Sequence, residues 1–267
     1  MRTAHWTVLA AVAVLLALVG ACSQPLDPEP EGGEPSQTSD DPVPEDPPDD
    51  PPARQDLTID FDAETSGYVG EAFDASGIAQ EPAPGFLDAD GWEIIGFSDG
   101  DLAYGEEADG GDYARGTSVG GVSTGGLYAF TVGDGNTALG VQPTGTDFAP
   151  GSVGIRVPVG IDAPARVAIA YTLWVRNDED RATRWTCGIS ADGETFVAID
   201  ELAVVTGEAA TGEAWERHDL TATIGLQDVD LELPGTLHVR WVATDESGTG
   251  SRDETAIDDI TITVESD

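Results

Sequence analysis

The sequence predicts an all-β chain, an antiparallel β-sandwich of the jelly-roll type. Apolar residues recur at every second position in short runs, Gly, Asp and Pro separate the runs, and no stretch holds a convincing helical period. Residues 56–61 open the series, with Leu57, Ile59 and Phe61 on one face. Residues 126–130 and 152–157 alternate in the same way. In 165–175 the core parity falls on Val167, Ile169, Tyr171, Leu173 and Val175. Trp185, Cys187 and Ile189 share a face in the next run, and 237–242 and 256–264 complete the set. Residues 208–220 contain helix formers, but Thr211-Gly212 interrupts them, and the stretch reads as an irregular link before a strand. From 56 to 267 there are roughly 210 residues, ample for one sandwich core and more than a minimal immunoglobulin-type domain needs.

Two segments precede that domain. Residues 1–21 have the zones of an export signal: Arg2, an apolar run over 7–19, and a small-residue site ending Leu18-Val19-Gly20-Ala21-Cys22. The apolar run is shorter than the roughly 20 residues that span a bilayer. The site resembles a bacterial lipobox, which implies cleavage before Cys22 and lipidation of that cysteine. The expected location is the cell membrane or outer membrane, with the domain facing the extracytoplasmic side; Ser23 fits outer-membrane sorting in a Gram-negative cell. Residues 22–55 form an acidic linker holding ten of the seventeen prolines, too polar and too charged to build a core. With Cys22 used by the anchor, Cys187 has no partner, so no disulfide framework is expected and Cys187 reads as a buried, inert thiol.

The charge balance excludes one class of partner. Fifty-one acidic residues face eleven basic ones, all arginine. Ten of the acids and two of the arginines precede Asp56, leaving a formal charge of about −32 on the domain. Such a surface repels nucleic-acid phosphates. Two explanations of the excess stay open: adaptation to a saline exterior, where salt screens the self-repulsion, and binding of calcium through oxygen ligands. The absence of lysine throughout favours the first.

Several phrases carry a family resemblance: Phe61-Asp62, the run Ser123-Thr124-Gly125-Gly126-Leu127-Tyr128-Ala129-Phe130, and Thr137-Ala138-Leu139-Gly140. Others are Tyr171-Thr172 followed by Trp174 and Arg176, the run 190–196, and Ala256-Ile257-Asp258-Asp259-Ile260. Together they resemble the jelly-roll module found beside extracellular nucleases and in anchored bacterial surface proteins, and the last is similar to the ending of MAM adhesion domains. The resemblance implies a non-catalytic accessory or adhesion module. Nuclease activity is not carried over, because only three residues follow the last alternation, which ends at Val264.

The chemistry-bearing motifs point the same way. Residues 116–126, GTSVGGVSTGG, hold G-x-S-x-G twice, at Ser118 and Ser123. A nucleophile elbow needs an apolar strand before the serine and a helix after it, and here glycine-rich polar sequence stands on both sides. Paired carboxylates for a glycoside hydrolase stay open as the less favoured enzymatic alternative, since no pair is singled out. Asp258 shares parity with Ile260, Ile262 and Val264, which points it inward and demands a partner. The candidates are a calcium ion shared with Asp60, Asp62 or Glu64, an arginine such as Arg240, or backbone amides of the first strand's loop. Asp99-Gly100-Asp101 is not an EF-hand, because Tyr104 stands where that loop needs glycine. Trp174 and Arg176 take the face opposite the core parity, a pair suited to stacking on a sugar and bonding its hydroxyls. The alternatives are that loops cover Trp174, or that Arg176 lies over its indole. The expected function is thus a lipid-anchored binding or adhesion module, calcium-stabilised and glycan-binding, with membrane and an extracellular glycan or surface protein as partners and no nucleic acid. The alternative is a structural surface lipoprotein with no small ligand.

Overall fold

The computed structural model describes residues 51–267. The signal, Cys22 and the linker up to Asp50 lie outside the described residues. Fifteen strands follow in order: β1 (Arg54–Ile59), β2 (Phe73–Ala79), β3 (Gly85–Asp88), β4 (Trp92–Phe97), β5 (Gly100–Leu102), β6 (Thr117–Ser118), β7 (Gly126–Val132) and β8 (Asn136–Gln142). Then come β9 (Gly151–Pro158), β10 (Pro164–Arg176), β11 (Arg181–Ser190), β12 (Val197–Val205), β13 (Glu216–Gly225), β14 (Thr236–Gly248) and β15 (Glu254–Ser266). The first strand starts at Arg54, two residues ahead of the expected boundary, because Arg54 pairs with Glu265. One short 3-10 turn at Gly111–Tyr113 is the only helical element among the described residues.

Two sheets face each other. The first runs β13-β10-β15-β8-β7-β6, with β1 also on β15; the second runs β12-β11-β14-β9-β4-β5. Nearly all pairings are antiparallel; the short β6 on β7 and the separate β2–β3 pair are parallel. The core holds the expected faces: Val167, Ile169, Tyr171, Leu173 and Val175 from the first sheet meet Trp185, Cys187, Ile189, Val239 and Trp241 from the second. Period-two alternation produces this arrangement, since a strand buries one face and offers the other to a second layer.

The long strand β15 organises the first sheet. Along one edge it pairs with β10. Along the other its neighbour changes: Thr255, Ala256 and Ile257 pair with β8, and Ile260 to Glu265 pair with β1. Asp258 and Asp259 fall at the changeover. The register against β10 also slips there, with Ala170 opposite Thr261 but Thr172 opposite Asp258, and Asp259 takes a positive φ of 50°. This is a β-bulge, which reverses side-chain parity on either side of it.

Candidate functional site

The bulge corrects the expected orientation of Asp258. Ile257, not Asp258, shares the core with Ile260 and Ile262, while Asp258 pairs with Thr172 and takes the outer face of the first sheet. It is nevertheless fully buried, at 0% exposure. The amide of Asn136, at the start of β8, donates to its Oδ2, while Oδ1 has no partner. Asp60 and Asp62, in the loop leaving β1, lie in the same corner. Asp62 accepts from the Thr137 amide at 3.2 Å, and the Asp60 carboxylate acts on Asp258 as a like charge. Burial is the main force on Asp258, and with Asp259 and Asp60 adding like charge it lifts the carboxyl to about 7. Arg240 is not its partner, being held in the second sheet by Glu93 at 2.7 Å. Among the described residues, no group of three or more carboxylate, histidine or cysteine side chains is already gathered as a metal cage.

Trp174 lies on the expected face, but it is only 6% exposed, which corrects its reading as an open stacking platform. It belongs to a second apolar cluster with Tyr128, Phe130, Val132, Ala138 and Ala256, on which Val122 and Trp215 pack. Trp215 sits 5.1 Å from the Phe130 ring and donates its Nε1–H to the Val119 carbonyl at 3.1 Å. Gly133 presses in as well: a Cβ there would lie 2.8 Å from the indole. The cation over the indole is Arg217, 5.5 Å from the ring, rather than Arg176.

Arg176 instead enters a polar cleft of about 620 Å³. Its Nε bonds Asp178 at 2.8 Å and lies 3.3 Å from Glu254 Oε2. Glu254 in turn accepts from the Val122 amide at 2.5 Å. Burial raises the Glu254 carboxyl's pKa, while the Gly121 and Val122 amides oppose that rise. The GTSVGGVSTGG segment thus serves as a wall. Gly120 stands at φ +100°, and a Cβ there would lie 2.7 Å from the Arg176 guanidinium, so the close approach requires glycine. Opposite, Arg252 donates to the Thr144 carbonyl at 2.6 Å, and Gln142 donates to the carbonyls of Pro143 and Arg252 at 2.8 and 3.2 Å. Asp178, Glu179, Glu213 and Glu254 give the lining four carboxylates against two arginines. Sequence reading missed Arg252, Gln142 and Glu254. The available signal was the scarcity of arginine, since one standing in a Gly-Ser loop among acids has no strand alternation to explain it.

Neither serine of the glycine-rich segment is bonded to a histidine. Ser118 Oγ accepts from Gly120, and Ser123 lines the cleft. His238 packs edge-on to Tyr104 at 5.6 Å, and His218 pairs with Leu173 across the first sheet. Cys187 is buried, and desolvation pushes its thiol pKa up. In a Cys22→Ser variant, a thiol-specific reagent should therefore leave the native chain unmodified and react once with the unfolded chain; fast native labelling would contradict the burial.

No family model matches the chain, and no curated protein matches it. Among solved structures it is similar to the K1 cleaved adhesin domain of Lys-gingipain from Porphyromonas gingivalis, at 13% identity and TM-score 0.38 over 80% of this chain and 99% of that one. It is similar to the xylan-binding module CBM15, at 13% identity and TM-score 0.36 over 80% and 97% of the two chains. A third is TmCBM61, solved with β-1,4-galactotriose, at 14% identity and TM-score 0.29 over 49% and 73%. All three scores lie below 0.5.

Proposed function

We propose that this chain is a non-catalytic binding module, held outside the cytoplasm by a lipid on Cys22, that takes a stretch of neutral glycan in the Arg176–Arg252 cleft. The observation that carries the reading is the cleft lining. Planar donors from Arg176 and Arg252 stand among carboxylate acceptors, and sugar hydroxyls can bond to both kinds of group. The carboxylate excess opposes an anionic chain. No aromatic side chain lines the cleft, so recognition rests on hydrogen bonds instead of the ring stacking expected from Trp174.

The same reading gives the domain a structural calcium ion at the Asp258 corner, with Asp60 and Asp62. Support comes from the orphaned Oδ1 of a fully buried carboxylate, beside a loop that offers two more. Such an ion would tie the end of β1 to the start of β8 across the gap in the sheet; it would take no part in a reaction.

Affinity electrophoresis of the full chain through gels containing xylan, galactan or a mixed-linkage β-glucan tests the cleft. At least one polysaccharide should retard the chain. Arg252→Ala should weaken that retardation about tenfold or more, the worth of a charge-assisted hydrogen bond. If no polysaccharide slows the chain, or Arg252→Ala is slowed as much as wild type, the cleft is not a glycan site and the structural-lipoprotein reading takes its place.

A further inference from the structure

We propose a second cation site, separate from the Asp258 corner, at the end of the sandwich beneath the cleft, formed by Asp253, Asn177, Thr183 and Thr255. Asp253 is 0% exposed, and Asn177, Thr183 and Thr255 are buried with it. Four of their oxygens have no hydrogen-bond partner: Asp253 Oδ2, Asn177 Oδ1, Thr183 Oγ1 and Thr255 Oγ1. Strand pairing gathers them. Arg176 lies opposite Glu254 and Val175 opposite Thr255, so Asn177 and Asp253 follow at the same end of the first sheet. Thr183 has the parity of the core residues Trp185 and Cys187 and so comes from the inner face of the second sheet. The two sides are joined through Thr206. Its hydroxyl accepts from the Thr183 amide at 2.9 Å and also lies beside Asp253, while Gly207, next in the chain, abuts the Asn177 amide. The Asn177 carbonyl accepts from the Thr211 and Gly212 amides at 2.8 and 3.1 Å, which pins that residue.

A carboxylate, an amide carbonyl and two hydroxyls form an oxygen set suited to a hard cation. A water molecule could bond these oxygens but would leave the buried charge uncompensated. Among the described residues no arginine forms an ion pair with it: the carboxylates of Asp178 and Glu179 act on Asp253 as like charges, and only the Thr206 hydroxyl beside it and the Glu179 amide, bonded to Oδ1 at 3.3 Å, favour its charged form. Asp178, Glu179 and Glu254 also line the cleft, so a cation here lies directly under its floor. The site does not depend on what the cleft binds.

Equilibrium dialysis of the decalcified full chain against radiolabelled calcium, in high choline chloride to screen the acidic surface, tests the site. Asp253→Asn should bind one calcium fewer per chain than wild type and should lose part of the calcium-induced rise in Tm. Asp258→Asn should leave the Asp253 site filled, so the two assignments stand or fall separately. Asn177→Asp adds a carboxylate and should tighten binding by about tenfold. A rise in Tm reproduced by sodium supports the cation site and identifies a monovalent occupant. If Asp253→Asn binds as much calcium as wild type, gains as much Tm from sodium as wild type and is more stable in chelator, the pocket holds water and the proposal is wrong. Failure of calcium to stabilise Asn177→Asp also overturns it.

Discussion

Replacing Asp258 with Asn should raise the Tm of the calcium-free chain at pH 8 and abolish the part of calcium stabilisation that comes from that corner. The isosteric amide keeps the shape and removes a buried charge. The sign follows from linkage. In the unfolded chain Asp258 titrates near 3.8, and in the calcium-free fold near 7, so between those values the native state holds a proton that the unfolded state has released. Stability from this group is therefore lost as pH rises through that window, by about 4 kcal/mol at most. With calcium bound, the carboxylate is charged and compensated, and the loss should disappear. Wild type without calcium should melt progressively lower from pH 5 to pH 8 relative to Asp258→Asn, and calcium should close the gap at pH 8. Thermal melts at a series of pH values, with and without chelator, measure both effects. Parallel curves for the two proteins at every pH would refute the buried-charge account, and an unchanged gap on adding calcium would refute the metal.

Trp241→Ala should cost about 3–5 kcal/mol, the range for emptying a large aromatic site in a core. Trp241 lies on β14 between β11 and β9, is fully buried, and meets Tyr171 edge-on at 5.6 Å across the two sheets. Its Nε1–H lies toward the Tyr171 hydroxyl without good hydrogen-bond geometry, so the loss is chiefly one of packing. For a domain of this size the change corresponds to a fall in Tm of roughly 6–20 °C. Trp241→Phe should recover much of the loss. Guanidinium unfolding of the three proteins measures it, and a loss below about 1 kcal/mol for the alanine variant would show that the sheets do not pack through this residue.

Strands whose alternation is unbroken were legible in the sequence: β10, β14, most of β15 and the core face of β11. The run Trp92-Glu93-Ile94-Ile95-Gly96-Phe97 did not announce β4, because two adjacent isoleucines blur the period. Asp258 was recognised as buried from a parity that the chain does not keep. The bulge at Asp259 reverses it, and aspartate, unlike glycine, gives little warning of a left-handed backbone. Its burial survives the reversal because Asn136 and the loop after β1 close over the gap. For Trp174 the face was legible and the exposure was not, since Trp215 and Val122 cover the ring from parts of the chain far away in sequence. The cleft was the least legible feature. It is assembled from loop residues around β8, β10 and β15, and no local pattern ties them together.

The pairing of the first strand with the last has a mechanical consequence. Arg54 lies opposite Glu265, whereas the cleft residue Glu254 stands at the other end of β15, about 35 Å away at the usual rise of a strand. A pull between the amino-terminal end of β1 and a ligand in the cleft would run along the strands. It would load the six β1–β15 residue pairs together in shear instead of peeling them apart one by one, so the protein should resist tension best along the line on which a tethered binder is pulled.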